Sequence, residues 1–208
     1  MLLRCASTNP GKLAECRLAG KQFDVDVEPI PGIEACEETG HSFEANAIAK
    51  ALYYSRHSTE AVFADDSGLV VDALAGAPGI YSARYAGVGS TDVANNALLL
   101  ARMEGKTNRA ARFVCVVALA RQGELMGTFS GVVEGLLLTE PRGTLGFGYD
   151  PLFYYPEFGC TLAEVEADRK LAVSHRGRAL EAMFRFLLRK SPENGGSRPA
   201  DQPTSSHR

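Results

Sequence analysis

The 208-residue sequence lacks the features that tie a chain to a membrane, a secretory route or a long nucleic acid. No apolar run approaches the ~20 residues that a membrane span requires. The amino-terminal MLLRCASTNPGK has neither a long apolar core nor a cleavage signature. These absences predict a soluble, cytoplasmic protein. There is no CxxC pair either. The five cysteines (Cys5, Cys16, Cys36, Cys115 and Cys160) are odd in number and widely spaced. That spacing argues against a zinc knuckle or a disulfide framework and for reduced thiols. Positive charge is not in excess: 22 Lys and Arg against 25 Asp and Glu give a formal net charge of −3. Tight binding to long nucleic acid needs a basic face, so that class is disfavoured, although a local basic pocket for one nucleotide is compatible with the balance. The sequence shows no internal repeat, and the phosphate-binding pattern GxxxxGK[ST] is missing.

What is present is an ordinary globular balance, with 45% hydrophobic and 23% charged residues. The length is enough to bury a core without covalent staples. Residues 1–190 read as one domain. The remainder, SPENGGSRPADQPTSSHR over 191–208, is polar and rich in Pro, Gly and Ser, and it predicts a disordered tail. Within the domain, strand and helix signals alternate. Leu2–Ser7 reads as a strand, Thr8–Gly11 as a turn and Lys12–Ala19 as a helix. Phe23–Glu28 reads as a strand, and Ser42 as the cap of a helix over 43–57. Ala61–Ala64 predicts a buried strand ending at Asp65-Asp66, with a further strand over Leu69–Leu74. Thr91–Met103 is a strong helix pattern. Arg112–Ala120 (RFVCVVALA) is the clearest strand, pairing with Glu124–Val133 across Gln122-Gly123. Arg178–Arg189 closes the domain as an amphipathic helix. Mixed strands and helices around one sheet imply an α/β or α+β class.

Five segments carry residue types suited to chemistry. Ser7-Thr8-Asn9-Pro10-Gly11-Lys12 runs from a strand through a turn into a helix; helix N–H groups beside a lysine suit an anion, and a plain turn with a solvent lysine is the alternative. Glu37 and Glu38, in CEETG, are an acidic pair or a solvated loop. Asp65 and Asp66, in ADDSG, are placed where α/β sheets bind ligands; a carboxylate pair suits Mg²⁺, and an Asx turn is the alternative. In GFGYDPLF, Gly146 and Gly148 permit close backbone approach, while Phe147 and Tyr149 offer faces for a base or fill the core. Lys170, His175, Arg176 and Arg178 gather donors before a helix for which Ser174 is a suitable cap, and such donors read keto oxygens or phosphates.

Taken in order, STNPGKLAE, EETGHSFEANAIAKA, FADDSGLVVDALAGAPGIYSARYAG, GFGYDPLF and SHRGRAL resemble the inosine/xanthosine triphosphate pyrophosphatases, from about Leu3 to Leu188. The resemblance implies an α/β fold with a long mixed central sheet, flanking helices and two lobes around a deep nucleotide-binding cleft. It implies Mg²⁺-dependent hydrolysis of ITP, dITP and XTP at the α-phosphate, giving the monophosphate and pyrophosphate and keeping deaminated purines out of DNA and RNA. It also implies a homodimer. Carried over, Ser7, Thr8, Asn9, Pro10, Gly11 and Lys12 form the phosphate turn. Asp66 is the general base and a magnesium ligand, with Glu37 the second ligand, a role that Glu38 could exchange with it. Ser67 contacts substrate. Phe147, Gly148, Tyr149 and Asp150, with Lys170, His175 and Arg176, hold the base. Leu145 departs from the pattern, standing where similar proteins have a glycine, and so leaves the path of that loop to be determined. Two other readings compete: a pyrophosphatase of the septum-inhibitor type acting on pyrimidine nucleotides, and a nucleotide sensor without hydrolysis. GAPGIYSARYAG and SHR favour the first family, and the carboxylates disfavour a sensor.

Overall fold

The computed structural model describes residues 1–190; the expected tail over 191–208 lies outside the described residues. The valine-rich run becomes β4 (Ala110–Arg121), which pairs antiparallel with β5 (Glu124–Leu137). The turn between them has Gln122 and Gly123 both at positive φ, 52° and 83°, the geometry that matches strand twist in a two-residue hairpin. β4 is central in a seven-stranded sheet of order β2-β1-β3-β4-β5-β6-β7. The parallel part is β1 (Leu2–Cys5) between β2 (Asp26–Pro29) and β3 (Val62–Val71). The remaining pairings are antiparallel, out to β6 (Phe153–Tyr155) and β7 (Cys160–Thr161). The mixed α/β class follows.

Helices cover both faces, which explains why β4 is apolar on both and why β3 is buried along nearly its whole length despite its central polar residues. α1 (Pro10–Lys21) and α5 (His175–Lys190) share one apolar cluster with Phe63, Cys115, Val117 and Leu119. α2 (Phe43–Ser55) lies on the other face, where Ala47 and Ala51 meet Ala64, Ala118 and Ala120. Only methyl groups separate α2 from the sheet, so its polar side chains come close to β3. A second apolar cluster gathers Leu69, Val71, Phe113, Leu152 and Phe153 with Leu99 of α3 (Asp92–Arg102). α4 (Ala167–Val173) joins this end to α5.

Two strand expectations change. The segments over Ala61–Ala64 and Leu69–Leu74 are one ten-residue strand, and the acid pair is in its middle rather than at its end. The small, polar ADDSG is paired throughout with Val114–Ala118 of β4, so partner strength overrode the local turn signal. Helix ends also shift. α1 starts at Pro10, whose missing N–H costs nothing at a helix start, with Asn9 Oδ1 accepting from Lys12 N at 3.0 Å. α5 starts at His175, three residues before the expected helix, and Ser174 Oγ accepts from Gly177 N at 3.0 Å.

Candidate active site

Successive side chains of a strand alternate between faces. On one face of β3 the order is Phe63, Asp65, Ser67, Leu69, Val71. Phe63 belongs to the α1/α5 cluster, and Leu69 and Val71 to the second cluster. Asp65 and Ser67 are a polar gap between two cores, and the cleft opens there. β1 pairs with β3 only at Val62 and Phe63, so the edge of β3 beside Asp65 and Asp66 is not covered by β1.

Asp65 is buried among cations. Lys12 Nζ is 3.0 Å from Oδ2, and Arg176 donates to the same oxygen from Nε and Nη2 at 3.3 and 3.2 Å. Burial alone would raise its carboxyl; the Lys12 and Arg176 charges outweigh it and hold the group far below the usual range. Arg176 also donates to Glu15 of α1 and to Ser67 Oγ, the latter at 2.8 Å. Lys170 of α4 lies between Glu15, at 2.8 Å, and Asp150. Three carboxylates thus interleave with three cations, and Arg176 is 2% exposed.

The cations meet an aromatic ring. Lys170 Nζ is 4.8 Å and the Arg176 guanidinium carbon 5.6 Å from the Phe147 ring centroid. Lys170 has three N–H donors and Arg176 five. The bonds to Glu15, Asp65, Ser67 and Asp150 leave one N–H on each. His175 stacks on Phe113 with centroids 4.8 Å apart, and its Nδ1 is buried without a partner. Burial first, then the Arg176 and Lys170 charges, push it well below the ordinary histidine value, so it is neutral. Tyr149 is buried, and its hydroxyl donates to Ser82 O at 2.8 Å. The two aromatics of the loop therefore part: Phe147 faces the cations, and Tyr149 pins the loop to the helical turn Gly79–Arg84.

One cavity is lined by Asn9, Lys12, Ser67, Phe147, Gly148, Tyr149, Asp150, Lys170, His175 and Arg176, together with Gly68, Ser82, Ala83, Asp92, Asn95 and Phe113. Ser7, Thr8, Pro10 and Gly11 belong to the same turn as Asn9 and Lys12 without lining it. Ser7 Oγ accepts from Asn9 N at 3.3 Å. A Cβ on Gly11 would be 2.5 Å from the Phe147 ring, so only glycine lets that ring reach the turn. Leu145 needs no glycine, because the left-handed positions are Gly146 and Gly148, at φ 74° and 63°. Leu145 N instead donates to Ala163 O at 2.9 Å.

Asp66 points to the other face, toward α2. Its Oδ2 accepts from Asn46 Nδ2 at 2.9 Å, and Lys50 Nζ is 3.9 Å from Oδ1. Burial is the largest influence and leaves its carboxyl above the ordinary aspartate value. Lys50 also reaches Glu38 Oε1 at 2.6 Å, while Arg84 donates to Glu38 Oε2 at 3.3 Å. Both oxygens of Glu38 are therefore engaged. Glu37 is exposed beside it. Among the described residues, no three His, Cys, Asp or Glu side chains gather closely enough to hold a metal ion on their own.

Glu15, Asn46 and Lys50 were not singled out as site residues. Their signal was spacing: Glu15 is three residues after Lys12, and Asn46 and Lys50 are four apart, so each pair shares a helix face.

The Ham1 family model matches residues 3–186. A dITP/XTP pyrophosphatase of Exiguobacterium sp. is 48% identical over 186 residues, covering 88% of this chain and 95% of that relative. One of Geobacter sulfurreducens is 49% identical over 180 residues, covering 84% and 90%. The solved HAM1 protein of Coxiella burnetii superposes with a TM-score of 0.80 at 39% identity, covering 91% of this chain and 99% of that one. The order of motifs, the mixed sheet and these likenesses agree: the chain belongs to the Ham1 family.

Proposed function

We propose that this chain hydrolyses deaminated purine nucleoside triphosphates (ITP, dITP and XTP) at the α-phosphate, releasing the monophosphate and pyrophosphate. The observation that carries the reading is the buried pair Lys170 and Arg176, each with one uncommitted N–H beside the Phe147 ring. Hypoxanthine and xanthine have a keto acceptor at C6, whereas adenine has an amino donor. A wall of donors pairs with the former and leaves the latter unsatisfied, which discriminates by roughly 10⁴-fold. The relatives named dITP/XTP pyrophosphatase support the dITP and XTP part of this reading.

Bound this way, the base lies on the Asp65 face and the phosphates run to the turn at the start of α1. Lys12 and the turn's N–H groups neutralise the phosphates. Asp66, raised by burial and oriented by Asn46, positions the attacking water and takes its proton. The donor set fits a divalent cation. Mg²⁺ commonly takes one or two carboxylates and completes its shell with water and substrate phosphate. Asp66 and Glu37 would hold it, since Glu38 is committed to Lys50 and Arg84. When bound, Mg²⁺ supplies charge neutralisation and a lowered water pKa.

Three further parts of the reading are proposals. The exposure of Tyr81, Val88 and Val93 (54%, 97% and 78%) supports a homodimer that covers this stretch. The unbridged, buried Cys5, Cys16 and Cys115 support a reducing cytoplasm. Residues 1–190 serve as the pyrophosphatase domain. Among the described residues, no helix is long and apolar enough to cross a membrane.

The test is pyrophosphate release from ITP, XTP, dTTP, GTP and ATP, with Mg²⁺ and with EDTA. Mg²⁺-dependent turnover confined to ITP and XTP is expected. Preference for dTTP would move the chain to the septum-inhibitor type of activity. Binding of ITP without turnover would make it a sensor.

A further inference from the structure

The loop that carries Phe147 is held from outside every motif considered above, by α3. Gly148 N donates to Asp92 Oδ2 at 2.7 Å, and Asn96 Nδ2 donates to Gly148 O at 2.9 Å. Asp92 and Asn96 are four residues apart on one face of α3, so they meet the loop together. They grip the two peptide groups that flank the Gly148 Cα. That residue has φ 63°, a left-handed conformation that sets the direction of Phe147 relative to Tyr149. The other end of the turn is closed internally, with Phe147 N donating to Asp150 Oδ2 at 2.9 Å. Asn96 Oδ1 is buried without a partner, so the Gly148 carbonyl fixes which way its amide points.

We propose that Asp92 and Asn96 are positioning residues for base recognition: they hold the Gly148 peptides so that the Phe147 ring stays against Gly11, Lys170 and Arg176. The assignment rests on the proposed function, because it takes this wall to be where the base is read. Losing the clamp weakens binding of the base and leaves the phosphate turn and Asp66 as they are. Asp92→Ala should raise KM for ITP about tenfold and Asn96→Ala about fivefold, the difference being that between an ionic and a neutral hydrogen bond. For both, kcat should stay within about twofold of the parent, and the thermal midpoint should stay near it, as expected of a partly exposed contact.

Three controls separate positioning from a general structural role. Asp92→Asn keeps an acceptor oxygen and should recover most of the affinity. Asn96→Asp places a carboxylate against the Gly148 carbonyl and should not. Inorganic tripolyphosphate, which has no base, should inhibit the parent and all variants with equal strength. An unchanged KM in folded Asp92→Ala and Asn96→Ala overturns the proposal, as does an equal loss of tripolyphosphate affinity. If the parent chain releases no pyrophosphate from ITP or XTP, the functional reading fails by itself. The clamp is then judged at the Gly148 amide, whose hydrogen exchange must speed up in Asp92→Ala; unaltered exchange overturns it.

Discussion

The two faces of β3 carry adjacent aspartates in opposite surroundings. Asp65 is fixed by Lys12 and Arg176 inside a network in which every carboxylate touches a cation. Asp66 has two neutral N–H donors at bonding distance, Asn46 Nδ2 to Oδ2 and the adjacent Ser67 N to Oδ1, one ammonium at 3.9 Å and a carboxyl raised by burial. The first face is locked, and the second is poised. Under the proposed function, the first face is the base-reading wall, whose donors must be held still before substrate arrives, and Asp66 on the second is the general base, which must exchange partners during the reaction. The pleat delivers both from neighbouring residues, because one step along a strand crosses the sheet.

The sharpest way to test the contrast is to neutralise each face in turn. Asp66→Asn should lower kcat for ITP on the order of 10³-fold, since it removes the base while keeping the side-chain shape. Nucleotide affinity measured in EDTA should be retained, because the base wall is on the other face. Joint loss of binding and turnover would show that Asp66 is structural. Arg176→Ala should act mainly on folding. It leaves Asp65 and Glu15 buried without their shared partner, which costs about 3 kcal/mol. For a domain of this size that lowers the thermal midpoint by roughly 6–12 °C. Lys50→Ala, on the poised face, should lower it far less. Equal losses would erase the distinction between the faces.

Much of the local structure was legible in the sequence, whereas the division between the faces of β3 was not, and that has a physical cause. Local chain chemistry announces itself: Ser42 and Ser174 as caps, the Gln122-Gly123 hairpin and the valine-rich β4 were all readable, whereas Pro10 read as part of a turn and is the first residue of α1. The continuity of β3 was not, because ADDSG reads as a turn until β4 pairs with all of it. Partners distant in sequence were hidden as well. Asp65 and Arg176 are 111 positions apart, and Glu15 and Arg176 161 apart. No periodicity encodes such a meeting. Asp92 and Asn96 looked like an ordinary helix start, and only the folded loop gives their shared face a purpose.

The locked face should also respond to acid in a definite sense. Glu15 is raised by burial, but the Arg176 and Lys170 charges outweigh that and leave its carboxyl below the ordinary value. A depressed carboxyl contributes stability above the unfolded-state pKa of about 4.3, and the contribution fades as pH falls through the lower folded value. Glu15→Gln should therefore be destabilised most above about pH 5, by roughly 1–3 kcal/mol, with the gap to the parent narrowing toward pH 3. Thermal unfolding of both proteins over that range measures it. A gap that widened toward acid would mean that Glu15 is protonated in the folded chain.

The smallest effect concerns the acidic pair at the edge of the poised face. Glu38 uses Oε1 for Lys50 and Oε2 for Arg84, so a cation could recruit it only by breaking ion pairs. Glu37 is exposed on the same segment. If Glu37 completes a cation site with Asp66, Glu37→Gln should raise the Mg²⁺ concentration for half-maximal ITP turnover by about tenfold, within the range for loss of a hydrogen bond or ligand at a charged centre. Glu38→Gln should raise it by less and should instead free Lys50, which changes kcat more than the Mg²⁺ requirement. A Mg²⁺ titration of the two variants side by side decides the matter. The reverse ranking would mean that Glu38 leaves Lys50 and Arg84 when the cation arrives, so that the poised face rearranges its ion pairs during loading while the locked face does not.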